Sequence, residues 1–222
     1  GSSARDPTPD TTVFRRDPDR ALWQRPRVTT TEAIRLLEQF RAGAVDCDAV
    51  MRAFQAAPVA DLGFATVDTH RALRQGFPEV IFGAGKTPAQ VAGIAAQLLR
   101  HDRRVLVTRA TREQARRLCR QFKSAVYHET ARCVTVDRKP LPQRPGCIAV
   151  VCAGTSDLPV AEEAAVTAEI MGNRVARVAD VGVAGLHRLL GKLSVLQEAN
   201  VIVVVAGMEG ALPSVVAGLV DK

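Results

Sequence analysis

The chain has 222 residues, 30 Lys and Arg against 23 Asp and Glu for a formal net charge of +7, and 1 Trp, 1 Tyr and 7 Phe. That length allows one large domain or two modest ones, with a core built mainly from Ala, Val and Leu. No apolar run approaches the ~20 residues that span a bilayer, and the basic excess lacks the aromatics and motifs of a nucleic-acid binder, which leaves a phosphorylated small substrate as its reading.

Residues 1–28 are rich in Pro, Asp, Arg and Thr without periodicity and read as an arm. Thr29 and Glu32 form a capping-box pair for a helix carrying Ile34, Leu37 and Phe40, and a second helix is predicted from Cys47 to Ala56. A strand over Glu79–Phe82 leads into Gly83-Ala84-Gly85-Lys86. The P-loop spacing is not met, because one residue separates the glycines, and Lys86 before a helix is a candidate phosphate contact. Thr87, Pro88 and Gln90 supply N-cap, N1 and N3 of a helix with Val91, Ile94, Ala95, Leu98 and Leu99 on one face. Arg104–Thr108 is a strand, Thr111 and Gln114 cap the next helix, and strands near Ala125–His128 and Arg132–Val136 close a first α/β unit over 29–138. Most of the arginine excess lies here, in Arg103, Arg104, Arg109, Arg112, Arg116 and Arg117.

The segment 139–145 holds Pro140, Pro142 and Pro145 and reads as a linker. Beyond it, apolar strands near 147–153, 174–179 and 201–206 recur about 27 residues apart with helices between, the first helix using Leu158, Ala161, Ala165 and Ala168. That is the pattern of a parallel, doubly wound sheet. The fold class is α/β: an N-terminal α/β domain followed by a Rossmann-like domain over 146–222. Five cysteines, at 47, 119, 133, 147 and 152, show no metal spacing. Their odd number without a signal peptide points to reduced thiols in the cytoplasm. Cys152, inside a strand, reads as a small buried hydrophobe.

In such sheets ligands bind beyond the carboxyl ends of the strands. Three loops fall there. Gly154-Thr155-Ser156-Asp157 offers amides, hydroxyls and a carboxylate at a helix N-terminus, suited to a phosphate or carboxylate, or to simple capping by Ser156 or Asp157. Asp180 opens the second loop, with His187 and Arg188 in the helix behind it. Gly207-Met208-Glu209-Gly210-Ala211 follows the third strand. Glu209, flanked by small residues, reads either as a desolvated acid or base or as a carboxylate stabilised by the helix dipole.

These motifs carry a family resemblance. Gly154-Thr155-Ser156-Asp157-Leu158-Pro159-Val160 resembles the first substrate loop of the PurE family of aminoimidazole ribonucleotide carboxylases, and 206–213 resembles that family's Gly-Ala-Ala-His-Leu-Pro loop. The middle loop departs from the PurE pattern Ser-Ala-His-Arg, and Glu209-Gly210 departs from its small-residue and histidine pair. Residues 30–222 are more similar to the LarB family, the pyridinium-3,5-biscarboxylic acid mononucleotide synthases of nickel-pincer cofactor biosynthesis, through 74–88, 180–188 and 206–213.

The resemblance implies a PurE-like C-terminal domain whose substrate is nicotinic acid adenine dinucleotide, carboxylated at C5 of its pyridinium ring with CO2 or bicarbonate and cleaved to release AMP. It implies no tightly bound cofactor, leaves a Mg2+ requirement open, and implies a homo-oligomer, an octamer by analogy with PurE. Aminoimidazole ribonucleotide carboxylation and non-catalytic nucleotide binding are the alternatives. Under the resemblance Glu209 is a proton acceptor or orienting group at the ring, and Asp157 and Asp180 contact ribose or orient the ring. Gly154, Thr155 and Ser156 hold a phosphate or carboxylate. Gly182, Val183, His187, Arg188 and Gly207 belong to the substrate-binding segments, and Met208 and Ala211 line the ring pocket. Lys86, Arg71 and Arg74 engage the adenylate phosphate. A family thiolate that adds to the ring is expected beyond Lys222, which would leave the domain incomplete here.

Overall fold

The computed structural model describes residues 30–54, 59–68, 71 and 76–222. The arm, Thr29, the end of the second predicted helix, and Arg74 lie outside the described residues. Helices α1 (Thr30–Arg41) and α2 (Cys47–Phe54) come first. Ala33 and Val50 are buried, whereas Ile34, Leu37 and Phe40 of the predicted apolar face are exposed. A short antiparallel hairpin pairs β1 (Val59–Asp61) with β2 (Thr66–Asp68).

The first sheet contains β3 (Ile81–Phe82), β4 (Arg104–Thr108), β5 (Ala125–His128) and β6 (Cys133–Asp137) in the order β3-β4-β6-β5. β3 runs parallel to β4, and β6 is antiparallel to both β4 and β5. Val105, Val107, Val134 and Val136 share one face, fully buried with residues of α3 (Pro88–Leu98) and α4 (Arg112–Gln121). Strand alternation sends Leu106 and Cys133 to the other face. Both predicted capping boxes form: the Thr87 and Thr111 hydroxyls accept from the N3 amides of Gln90 and Gln114, whose side chains accept from the cap amides in return.

The second sheet is parallel, in the order β8-β7-β9, from β7 (Ile148–Cys152), β8 (Val175–Val178) and β9 (Val201–Val205). Central β7 points Val150 and Cys152 at α5 (Leu158–Ile170), where Ala161 and Ala165 pack. Its alternate residues Ala149 and Val151 face Leu189 of α6 (Leu186–Leu190), Leu196 of α7 (Leu193–Glu198), and Leu212 and Val216 of α8 (Ala211–Leu219). Helices on both faces make this the doubly wound arrangement expected from the spacing of the apolar runs.

Helix α5 also packs against the first sheet, with Val166 and Ile170 against Leu106 and Cys133. Arg109, just past β4, reaches Glu163 in the first half of α5 at 2.8 Å, while Leu106 meets the second half. β4 therefore runs antiparallel to α5, as β7 does, so β3 and β4 aim their carboxyl ends the same way as the strands of the second sheet. The 139–145 segment has no regular structure. It lies at the opposite end, where the Arg144 amide donates to Gly172 O just beyond α5. No described helix is long and apolar enough to cross a membrane.

Candidate active-site crevice

Asp157 holds the crevice together. It ends the single 3-10 turn Thr155–Asp157 that leads into α5. Its Oδ2 accepts from the Gly154 amide at 2.9 Å, and its Oδ1 accepts from the Gly207 amide at 2.9 Å, fifty positions away in sequence. The loops after β7 and β9 are thereby tied by one carboxylate. Each oxygen retains a second lone pair for a ligand hydroxyl. A Cβ on Gly207 would stand 3.1 Å from Asp157 Oδ1, so a side chain there would press the carboxylate back by a few tenths of an ångström.

The loop after β8 joins through its backbone. Val181 N donates to Cys152 O and Gly182 N donates to Ala153 O. A Cβ on Gly182 would approach Ala153 O to 3.0 Å, so a side chain there would press these loops apart by a few tenths of an ångström. Asp180 takes a left-handed backbone with φ 58°, and its Oδ2 accepts from Arg188 Nη1 at 2.6 Å. Both partners are substantially exposed, so the pair adds little stability, about 0–1 kcal/mol. Its consequence is positional, because it holds a guanidinium and a carboxylate at the crevice mouth.

The three predicted loops do converge, with several corrections. The Gly154 amide is committed to Asp157, so the helix-start donors left to an anion are those of Thr155 and Ser156. Asp157 makes no side-chain cap bond to α5; its carboxylate turns back toward the loops. Glu209 is exposed, not desolvated by its own chain. Gly210, in a left-handed conformation at φ 68° with open space around it, carries the loop outward. Met208 is 91% exposed, so it does not line an enclosed pocket within this chain. Ala211 is half-buried at the start of α8, Val183 packs against the core behind the crevice, and His187 is exposed on α6.

Lys86 lies in the first sheet's loop, where Nζ donates to Phe82 O at 2.9 Å. That loop follows β3 beside the end of β4, with Gly83 N donating to Thr108 O. It therefore opens toward the same end of the molecule as the crevice. Arg71 lies 3.6 Å from Asp68 in an ion pair. Cys152 is 1% exposed, and burial first of all pushes its thiol pKa up, as it pushes that of Cys133 to about 11. Both stay protonated thiols near neutrality.

Two residues that shape the candidate site escape sequence reasoning. Gln114, 1% exposed, is more than a cap: Nε2 donates to Gly83 O at 2.8 Å and to Lys86 O at 2.6 Å, pinning the Lys86 loop. Gly185 makes room for Arg188, since a Cβ there would stand 2.6 Å from its Nε. Capping position signalled the first residue but not its reach, and nothing local signals the second.

Residues 59–139 match the family model described as the LarB/PurE-like N-terminal domain. An uncharacterized protein of Methanocaldococcus jannaschii is 37% identical over 165 residues, covering 70% of this chain and 64% of that protein. The chain thus spans a little under two thirds of that relative's length. It carries the N-terminal domain of the LarB/PurE-like family, ahead of a parallel doubly wound sheet.

Proposed function

We propose that the protein acts on nicotinic acid adenine dinucleotide, replacing the C5 proton of its pyridinium ring by carboxylate from CO2 or bicarbonate. Water then cleaves the phosphoanhydride to give pyridinium-3,5-biscarboxylic acid mononucleotide and AMP. The observation that carries the reading is the Asp157 tie between Gly154 and Gly207. It ties the start of α5 to the Gly207–Glu209 loop, and the backbone bonds of Val181 and Gly182 bring the Asp180–Arg188 loop to the same end of the sheet.

Each part has a role by chemistry. The Thr155 and Ser156 amides and hydroxyls at the helix start suit a phosphate. Arg188 suits a carboxylate or phosphate, with Asp180 orienting it. Asp157, with spare lone pairs, accepts from ribose hydroxyls. In this reading Glu209 takes the ring proton, and Lys86, whose loop opens toward the same end of the molecule, meets the distal phosphate. A cationic ring resists electrophilic carboxylation until a nucleophile adds to it, and the protonated, buried Cys152 and Cys133 are poor candidates for that step. This favours, as a second reading, nucleotide binding without turnover.

Calorimetry with nicotinic acid adenine dinucleotide, followed by mass spectrometry of the same mixture with bicarbonate, separates the two. Carboxylated mononucleotide and AMP support turnover. Binding without product supports the module, and absence of binding sinks both.

A further inference from the structure

We propose that a second pocket, at the amino end of β4 and remote from the crevice, binds a phosphate-bearing anion with the Arg104 guanidinium as its anchor. The cavity has a volume of about 520 Å³. Arg103, Arg104 and Lys139 line it with Asp102, and Pro140 and Leu141 form an apolar wall. Arg104 Nε and Nη1 are buried and make no hydrogen bond. The guanidinium lies 5.8 Å from the centroid of the Phe77 ring, which screens one side of it without supplying an acceptor.

Neither nearby carboxylate bonds Arg104 Nε or Nη1. Asp102 Oδ1 accepts from the Arg103 and Arg104 amides at 2.7 and 3.3 Å. Asp137, opposite Arg104 in the β4–β6 register, turns Oδ1 to the Lys139 amide at 3.1 Å. Buried polar groups in native folds have partners, and a charged one left without an acceptor is costly. Three cationic side chains against one carboxylate leave the lining at +2 (3 − 1), suited to a dianion. Arginine is the side chain that best matches phosphate oxygens. The cavity exceeds a bare phosphate, and its apolar wall gives a sugar or similar group a surface to lie on.

The test is isothermal titration calorimetry of the full chain at low salt with pyrophosphate, ribose 5-phosphate and, as a carboxylate control, acetate. Saturable one-site binding of pyrophosphate or ribose 5-phosphate is expected, weakened at least tenfold in Arg104→Gln and several-fold in Lys139→Gln. The exposed-helix control Arg116→Gln should leave it unchanged. Tighter binding of pyrophosphate assigns the site to inorganic anions, and tighter binding of ribose 5-phosphate to phosphorylated metabolites. Should Arg104→Gln fail to fold, the rim double variant Arg103→Gln/Lys139→Gln decides. No saturable heat, acetate binding of equal strength, or equal weakening by Arg116→Gln overturns the proposal.

Discussion

Gln114→Leu should destabilise the protein severely although the substitution is nearly isosteric. The side chain is 1% exposed and its amide serves three backbone groups: Gly83 O, Lys86 O and, through Oε1, the Thr111 amide at 2.9 Å. Leucine retains most of the volume and removes all three bonds. Gly83 O keeps a donor, because the Lys86 amide also reaches it at 3.2 Å. The desolvation penalty therefore falls on Lys86 O and the Thr111 amide. At about 1 kcal/mol per bond, with about 1 kcal/mol more for each stranded group, the loss is about 3–5 kcal/mol. A domain of marginal stability, about 5–15 kcal/mol, would lose a large share of it. The control is Gln90→Leu, which removes the equivalent reciprocal bond of α3 at an exposed site. It should cost only about 0.5–1 kcal/mol. Urea titration followed by circular dichroism reads both variants, provided the slope m is unchanged. Losses within about 1 kcal/mol of each other would mean that water replaces the buried amide, and would refute the pin.

Four further outcomes follow from the crevice and the sheets. Asp157→Asn places an amide donor against either Gly154 N or Gly207 N, so binding of nicotinic acid adenine dinucleotide should weaken at least tenfold with a minor shift in urea midpoint; unchanged affinity by calorimetry argues against the tie. Gly185→Ala should displace the exposed Arg188 side chain, costing under about 1 kcal/mol of stability while weakening the same ligand several-fold, and a stability loss without an affinity loss would count against a ligand role for the Asp180–Arg188 pair. Glu209→Gln should lower turnover far more than affinity, and wild-type kcat would remove Glu209 from the chemistry. Burial, the largest influence, lowers the His128 pKa below its ordinary 6.5 against the opposing pull of Glu169. The unfolded chain then binds the extra proton first, so this stability is present above about 6.5 and is lost as pH falls through it. The urea midpoint should drop between pH 7 and 5.5, less steeply in His128→Gln, and parallel slopes would exclude the histidine.

What was legible in the sequence was local. Apolar runs broken at Gly154 and Gly207 foretold parallel strands and the edge where loops meet, because strands buried on both faces need no alternation. Thr87 with Gln90 and Thr111 with Gln114 foretold two helix starts, since a capping box is complete within four residues. Long-range partners were not legible. Asp157 reads as a cap by position, but its second acceptor contact is with a glycine fifty residues on. Gln114 reaches back thirty-one residues to Gly83. Glu209 between small residues suggested burial, yet Gly210's left-handed backbone makes the same residues an outward loop. The face of Ile34, Leu37 and Phe40 is amphipathic as predicted but remains exposed, because periodicity specifies a face and not its partner.

Helix α5 explains why the two halves form one ligand-facing end. Its sequence carries apolar residues around its circumference, which suits a helix buried on more than one side. Ala161 and Ala165 meet the second sheet while Val166 and Ile170 meet the first. Its three carboxylates are divided in the same way. Glu163 takes Arg109, whose left-handed backbone at φ 51° follows the end of β4, while Glu162 and Glu169 share Arg177 of β8. Those hydrogen bonds, foremost the one to Glu169, hold the Arg177 pKa above its ordinary value. With both faces packed and all three carboxylates paired, neither sheet can shift along α5 without breaking apolar contacts and an ion pair together. The Lys86 loop and the Asp157 tie are thus held at a fixed separation, as a dinucleotide engaged at both of its ends would require.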